Sequence, residues 1–135
     1  EDSGFYYAEI PLAASLDISV PPLFLDAYVA GLESRLKAID PTYAAYVYGH
    51  IADGNLHLTL IKQGPLPEAE LRAVERAVYA GIHEAGGSFS AEHGVGLEKR
   101  HGYEGFVSPE KQALGRALKQ ALDPKGLFNP GKVPF

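Results

Sequence analysis

Asp53-Gly54 stands between two β-prone runs, roughly Ala44–Ile51 and Asn55–Lys62. A type I′ turn needs positive φ at both central residues, and Asp-Gly meets that demand well. With these two residues at the turn, Ala52 faces Asn55, Ile51 faces Leu56, and His50 faces His57. Opposed Cβ atoms lie about 4.5–5.5 Å apart, close enough for two imidazoles to share one metal ion. Period-2 alternation then puts Val47, Gly49, Ile51, Leu56, Leu58 and Leu60 on a core face. Tyr46, Tyr48, His50, His57 and Thr59 share the other. Strand histidines are commonly solvated or hydrogen-bonded, so a third ligand decides the metal reading.

The flanking segments supply a scaffold for that hairpin. Phe5–Ile10 and Leu16–Val20 are strand-like, separated by the small-residue stretch from Pro11 to Ser15. Pro21-Pro22 opens a helix, because proline is tolerated in a first turn. Leu25, Val29, Leu32, Leu36 and Ile39 carry its apolar stripe, and Asp40-Pro41 stops it. A second helix begins at Pro67 or Glu68. Its stripe is Leu71, Val74, Val78 and Ile82, and Gly86-Gly87 ends it. Ser88–Ala91 reads as a short strand. The order to this point is βαββαβ, the split pattern of ferredoxin-like folds. The fold class is therefore α+β: an antiparallel sheet with helices on one face, and the histidine face left open. Ser108 as N-cap and Pro109 at N1 start a C-terminal helix, with Leu114, Leu118 and Leu122 on its buried side. Asp123-Pro124 closes it, and an extended, turn-rich tail follows.

Composition excludes several classes. The 135 residues suit a single domain with its own core. There is no cysteine, so disulfides, thiolate metal sites and cysteine nucleophiles are ruled out. A net charge of -5 argues against a nucleic-acid partner held through phosphates. No 18-residue apolar run exists, so no transmembrane segment is expected, and a cytoplasmic location follows, with membrane association only through an electron acceptor. There is no methionine, even at position 1, so the chain reads as a piece of something longer.

Glu92-His93 leaves the last strand of the βαββαβ unit, whose end can approach the hairpin. Two histidines and one carboxylate form a common open metal set, with Glu92 as third ligand. A histidine beside such a site and not bound to metal is a natural general base, a role open to His93. The alternatives are a turn cap for Glu92 and a solvated loop residue for His93. Other motifs fail: His83-Glu84 lacks the second histidine of a zincin helix, and Gly94-Val95-Gly96 is no dinucleotide fingerprint.

Three ordered stretches carry a resemblance. Gly49-His-Ile-Ala-Asp-Gly-Asn-Leu-His57, Gly86-Gly-Ser-Phe-Ser-Ala-Glu-His-Gly94 and Asp123-Pro-Lys-Gly-Leu-Phe-Asn-Pro-Gly-Lys132 are similar to signatures of the C-terminal domain of FAD-linked oxidases. That group includes D-lactate dehydrogenase, the glycolate oxidase flavoprotein subunit and D-2-hydroxyglutarate dehydrogenase. Asp17-Ile-Ser-Val-Pro21 matches as well. The resemblance implies that His50, His57 and Glu92 bind a divalent metal, zinc or manganese-like, and that His93 is the base acting on a 2-hydroxy acid. It implies substrate contacts at Thr59 and Tyr48, and places Asn129 and Asn55 toward the flavin. Thr59 stands where several members carry an asparagine, and Ala52 where a glycine is usual. FAD itself would be held mainly by an N-terminal domain absent from this chain. An isolated fragment is then expected to be inactive and to cover its exposed surfaces with a second copy, as a homodimer. The competing readings are a stand-alone ferredoxin-like binding or oligomerisation module and a small metal hydrolase.

Overall fold

A computed structural model describes residues 12–132, which leaves the strand-like Phe5–Ile10 outside the described residues. The chain divides into two compact units, the first ending at Glu92 and the second starting at His93. In the first, β1 (Leu12–Ser19), β2 (Ala44–His50) and β3 (Asn55–Ile61) form an antiparallel sheet in the order β1-β3-β2. The stretch up to Ser15, expected to separate two strands, belongs to β1, and a register irregularity between Leu12 and Ala14 absorbs it. Alanine and serine are poor strand formers alone, and pairing with β3 overrides that preference.

β3 is central, and its alternation sorts the sheet. Leu56, Leu58 and Leu60 are fully buried on one face, together with Leu16 and Ile18 of β1. Two helices supply the rest of this core. A 3-10 turn at Pro22–Phe24 leads into α1 (Leu25–Lys37), and α2 spans Glu68–Tyr79. The buried residues of α1 are Tyr28, Leu32 and Leu36. Tyr28 stands where the expected stripe has Val29, because its hydroxyl finds a partner, donating to the Val78 carbonyl at 2.7 Å. Arg35 Nε donates to the Ala77 carbonyl, also at 2.7 Å. Both bonds satisfy carbonyls of the last turn of α2, which lack helical partners.

α2 ends at Tyr79, well before Gly86-Gly87, because Ala80 turns extended at ψ 125. Ile82 nevertheless remains buried, carried inward by the following turns. At the opposite end, Lys62 is buried among acceptors: Glu70 Oε1 at 2.6 Å, Asp40 Oδ2 at 3.6 Å and the Pro65 carbonyl at 3.3 Å. Tyr43 adds its hydroxyl to the same Glu70 oxygen at 2.8 Å. A buried ammonium without such partners would be strongly destabilising.

Among the described residues, Ser88–Ala91 makes one bridge to the sheet, opposite Ser19. Ser19 N–H donates to the Ser88 carbonyl at 2.8 Å, and Ser88 N–H returns the bond at 2.9 Å. Among the described residues, the fourth strand of the expected βαββαβ unit is thus a single residue pair. Its neighbour Gly87 allows the contact, since a Cβ there would lie 2.1 Å from the Ser19 oxygen.

The second unit contains α3 (Arg100–Phe106) and α4 (Pro109–Leu122). Ser108 caps α4 by accepting from Lys111 N–H at 3.4 Å, with Pro109 at N1. Leu114, Leu118 and Leu122, expected to be buried, are 60%, 53% and 80% exposed. The stripe has helical spacing, but among the described residues nothing covers it. After α4, the buried Asp123 carboxylate accepts from Leu127 N–H, Phe128 N–H and Lys119 Nζ, and Lys119 also donates to the Phe128 carbonyl. These bonds fold the start of the tail into a fixed turn.

Candidate functional site

The polar face of the sheet centres on His57. The register puts Tyr48 of β2 opposite it on one side and Asp17 of β1 on the other. This corrects the expected pairing. His50 faces Asn55, not His57, because the hairpin loop is Ile51–Gly54 rather than Asp53-Gly54 alone. Asp53 Oδ1 accepts from Asn55 N–H at 3.2 Å, Gly54 N–H donates to the Ile51 carbonyl at 3.3 Å, and the Gly54 carbonyl accepts from Val20 N–H at 2.9 Å. The loop is therefore held by Val20, just after β1, as well as by its own turn. Ile51, placed in the core by the shorter turn, is 71% exposed. Because the register error is two residues, His50 and His57 stay on one face as diagonal neighbours, with Cα atoms about 7–8 Å apart.

Around His57 the contacts are specific. Its Nε2 lies 3.1 Å from Glu92 Oε1. The Tyr48 ring lies 5.4 Å from its ring, centroid to centroid. Tyr48 Oη and Thr59 Oγ1 are 3.5 Å apart, so Tyr48, His57 and Thr59 form one patch. Asn55 is buried, and among the described residues its Oδ1 has no hydrogen-bond partner. A buried amide oxygen without a donor is costly.

The donor set suits a divalent metal in its chemistry. Two ligands about 2.0–2.2 Å from a tetrahedral zinc stand roughly 3.3–3.6 Å apart, so the His57–Glu92 separation of 3.1 Å needs to open by only a few tenths of an ångström. Among the described residues no three of His, Asp and Glu converge on one point. His57 and Glu92 meet, while His50 is one diagonal step away on the exposed loop end.

Asp17 was missed as a site residue. It is buried beside His57, and its Oδ2 accepts from Ala91 N–H at 2.8 Å and Glu92 N–H at 2.9 Å. The available signal was a lone carboxylate between Leu16 and Ile18, two core residues of a strand, since such a group must find donors. His93 and Asn129 belong to the second unit, and both are exposed. Asn129 holds φ 48, the only positive φ outside glycine among the described residues, and its carbonyl accepts from Lys132 N–H at 3.0 Å.

The chain belongs to the FAD linked oxidases, as their C-terminal domain, whose family model matches residues 5–133. Among curated proteins it is similar to D-2-hydroxyglutarate dehydrogenase of Stutzerimonas stutzeri, at 35% identity over 87% of this chain and 26% of that protein. It is also similar to the mitochondrial D-2-hydroxyglutarate dehydrogenases of Danio rerio, at 46% identity, and Rattus norvegicus, at 41%, each over 87% of this chain and 21% of the relative. The chain thus spans about a fifth to a quarter of the length of the curated relatives it matches. Among the described residues no helix is long and apolar enough to cross a membrane.

Proposed function

We propose that this chain is the substrate- and metal-binding part of an FAD-dependent 2-hydroxy-acid dehydrogenase, acting with an N-terminal FAD-binding domain. The names of the relatives favour D-2-hydroxyglutarate over D-lactate or glycolate. One observation carries the reading: in a chain of this family, the His57–Glu92 pair stands at 3.1 Å on the polar face of the sheet. Membership of a flavoprotein family also favours it over a metal hydrolase or a stand-alone module.

His50, His57 and Glu92 would hold a divalent ion. When bound, the ion supplies Lewis-acid polarisation of the 2-hydroxyl and carboxylate oxygens, lowering the hydroxyl pKa, and FAD supplies a two-electron acceptor for the C2 hydride. The chain's own residues do the rest. His93, next to Glu92 in the sequence, takes the hydroxyl proton on a ring nitrogen as C2 is oxidised to the 2-oxo acid. The Tyr48 and Thr59 hydroxyls, 3.5 Å apart, are the candidate donor–acceptor pair for the substrate. Asn55 in the first unit and Asn129 in the second are each the candidate flavin contact of their unit.

The test uses the full-length protein that contains this chain. His57→Ala is expected to lose bound zinc or manganese by elemental analysis and to lose turnover of D-2-hydroxyglutarate while keeping its flavin absorbance. A His57→Ala enzyme with wild-type metal content and turnover would refute the proposal.

A further inference from the structure

We infer that Asp17 is a positioning residue: its buried carboxylate sets the Ala91–Glu92 backbone so that the Glu92 side chain reaches His57. This deepens the proposed function and rests on it for the role of the His57–Glu92 pair. Ser88 pairs with the sheet through a main-chain bridge to Ser19. Asp17 Oδ2 accepts from two successive amides, those of Ala91 and Glu92, at 2.8 and 2.9 Å. The Ser88 hydroxyl braces the intervening turn, donating to the Ser90 carbonyl at 3.0 Å and accepting from Ser90 N–H at 3.3 Å.

The register explains why this residue can do it. Asp17 and His57 are directly paired across β1 and β3, so their side chains share the polar face at adjacent positions. The group that holds the Glu92 backbone is therefore the cross-strand neighbour of the group that receives the Glu92 carboxylate. Charge-assisted bonds from amides to a carboxylate are short and strong. They offset the cost of burying an ionised group that is only 3% exposed. An apolar strand residue here would leave both amides without their acceptor and release Glu92 from His57.

The experiment is zinc titration of the 135-residue chain by calorimetry, in a double-mutant cycle. Outer-shell partners of metal ligands typically cost about 10–100-fold in affinity when removed, and Asp17→Ala is expected to fall in that range. In a Glu92→Ala background the same change is expected to have almost no further effect, because there is no ligand left to position. Asp17→Ala that binds zinc like wild type, or that weakens binding equally in both backgrounds, overturns the assignment. If Asp17→Ala does not fold, Asp17→Asn keeps the shape, weakens both bonds and is held to the same non-additivity. If the wild-type chain takes up no zinc, the metal reading fails by itself. The assignment is then decided by amide exchange: Ala91 and Glu92 must exchange faster in the Asp17 variant than in wild type, and equal rates refute it.

Discussion

Gly54→Ala tests the link between the hairpin loop and Val20. Gly54 has φ +71, and a Cβ there would lie 1.9 Å from the Val20 carbonyl oxygen. A left-handed conformation costs a non-glycine residue roughly 1–2 kcal/mol. The backbone must also withdraw, which breaks the Val20 N–H bond to the Gly54 carbonyl, now 2.9 Å. A typical hydrogen bond contributes about 0.5–1.5 kcal/mol net, so the sum is about 1.5–3.5 kcal/mol. Gly64 isolates the conformational part, because it has φ +88 and no atom within 4 Å of a built Cβ. Urea unfolding followed by circular dichroism measures both variants. With a slope of about 1–3 kcal/mol per molar, Gly54→Ala should move the midpoint down by roughly 1 M and Gly64→Ala by about half as much. Equal shifts would refute the argument that the Val20 seam constrains the loop.

Two further outcomes are expected. In the second unit, bonds from Lys119 and the Phe128 and Leu127 amides hold the Asp123 carboxyl down to about 2, from an ordinary 3.8. A depressed carboxyl contributes stability above its ordinary value and loses it as pH falls through its folded value, so the Leu127 and Phe128 amides should lose exchange protection between about pH 4 and pH 2, in step with protonation; protection kept at pH 2 would contradict this. In the full-length protein, His93→Ala should keep its metal and lose about 10²–10⁴-fold in kcat and kcat/KM together, whereas Glu92→Gln should lose metal and regain part of its turnover when metal is added. Loss of metal from His93→Ala would make His93 a ligand instead of the base.

The faces of the sheet were legible because alternation depends only on parity. Placing the turn at Asp53-Gly54 misjudged the loop by two residues, which moved every cross-strand partner but left Leu56, Leu58 and Leu60 inside and His57 outside. Ile51 alone, at the loop end, was displaced from its expected face. The Asp-Gly signal lost to tertiary context: Val20 binds the Gly54 carbonyl and stabilises a longer turn. Tyr28 was passed over because hydropathy discounts a phenol whose hydroxyl can reach a helix-end carbonyl. The helix boundary at Ala80 depends on caps from α1, which are remote in sequence. Glu92 approached His57 as its sequence context suggested, but the residue that holds it there, Asp17, could be found only once the strands were paired.

Three seams around the polar face join backbone to backbone with no side chain between them. A methyl group at Gly49 would meet the Asn55 oxygen at 2.1 Å, at Gly54 the Val20 oxygen at 1.9 Å, and at Gly87 the Ser19 oxygen at 2.1 Å. The frame is thus fixed by main-chain contact, while Tyr48 and the other exposed groups only line it. This separates two kinds of change under selection. Substitutions at the lining alter what is recognised without moving the scaffold, whereas substitutions at the seams distort the scaffold whatever the lining. Tyr48, 52% exposed, belongs to the first kind, so under the proposed function a change of substrate can proceed one side chain at a time, with the fold as bystander.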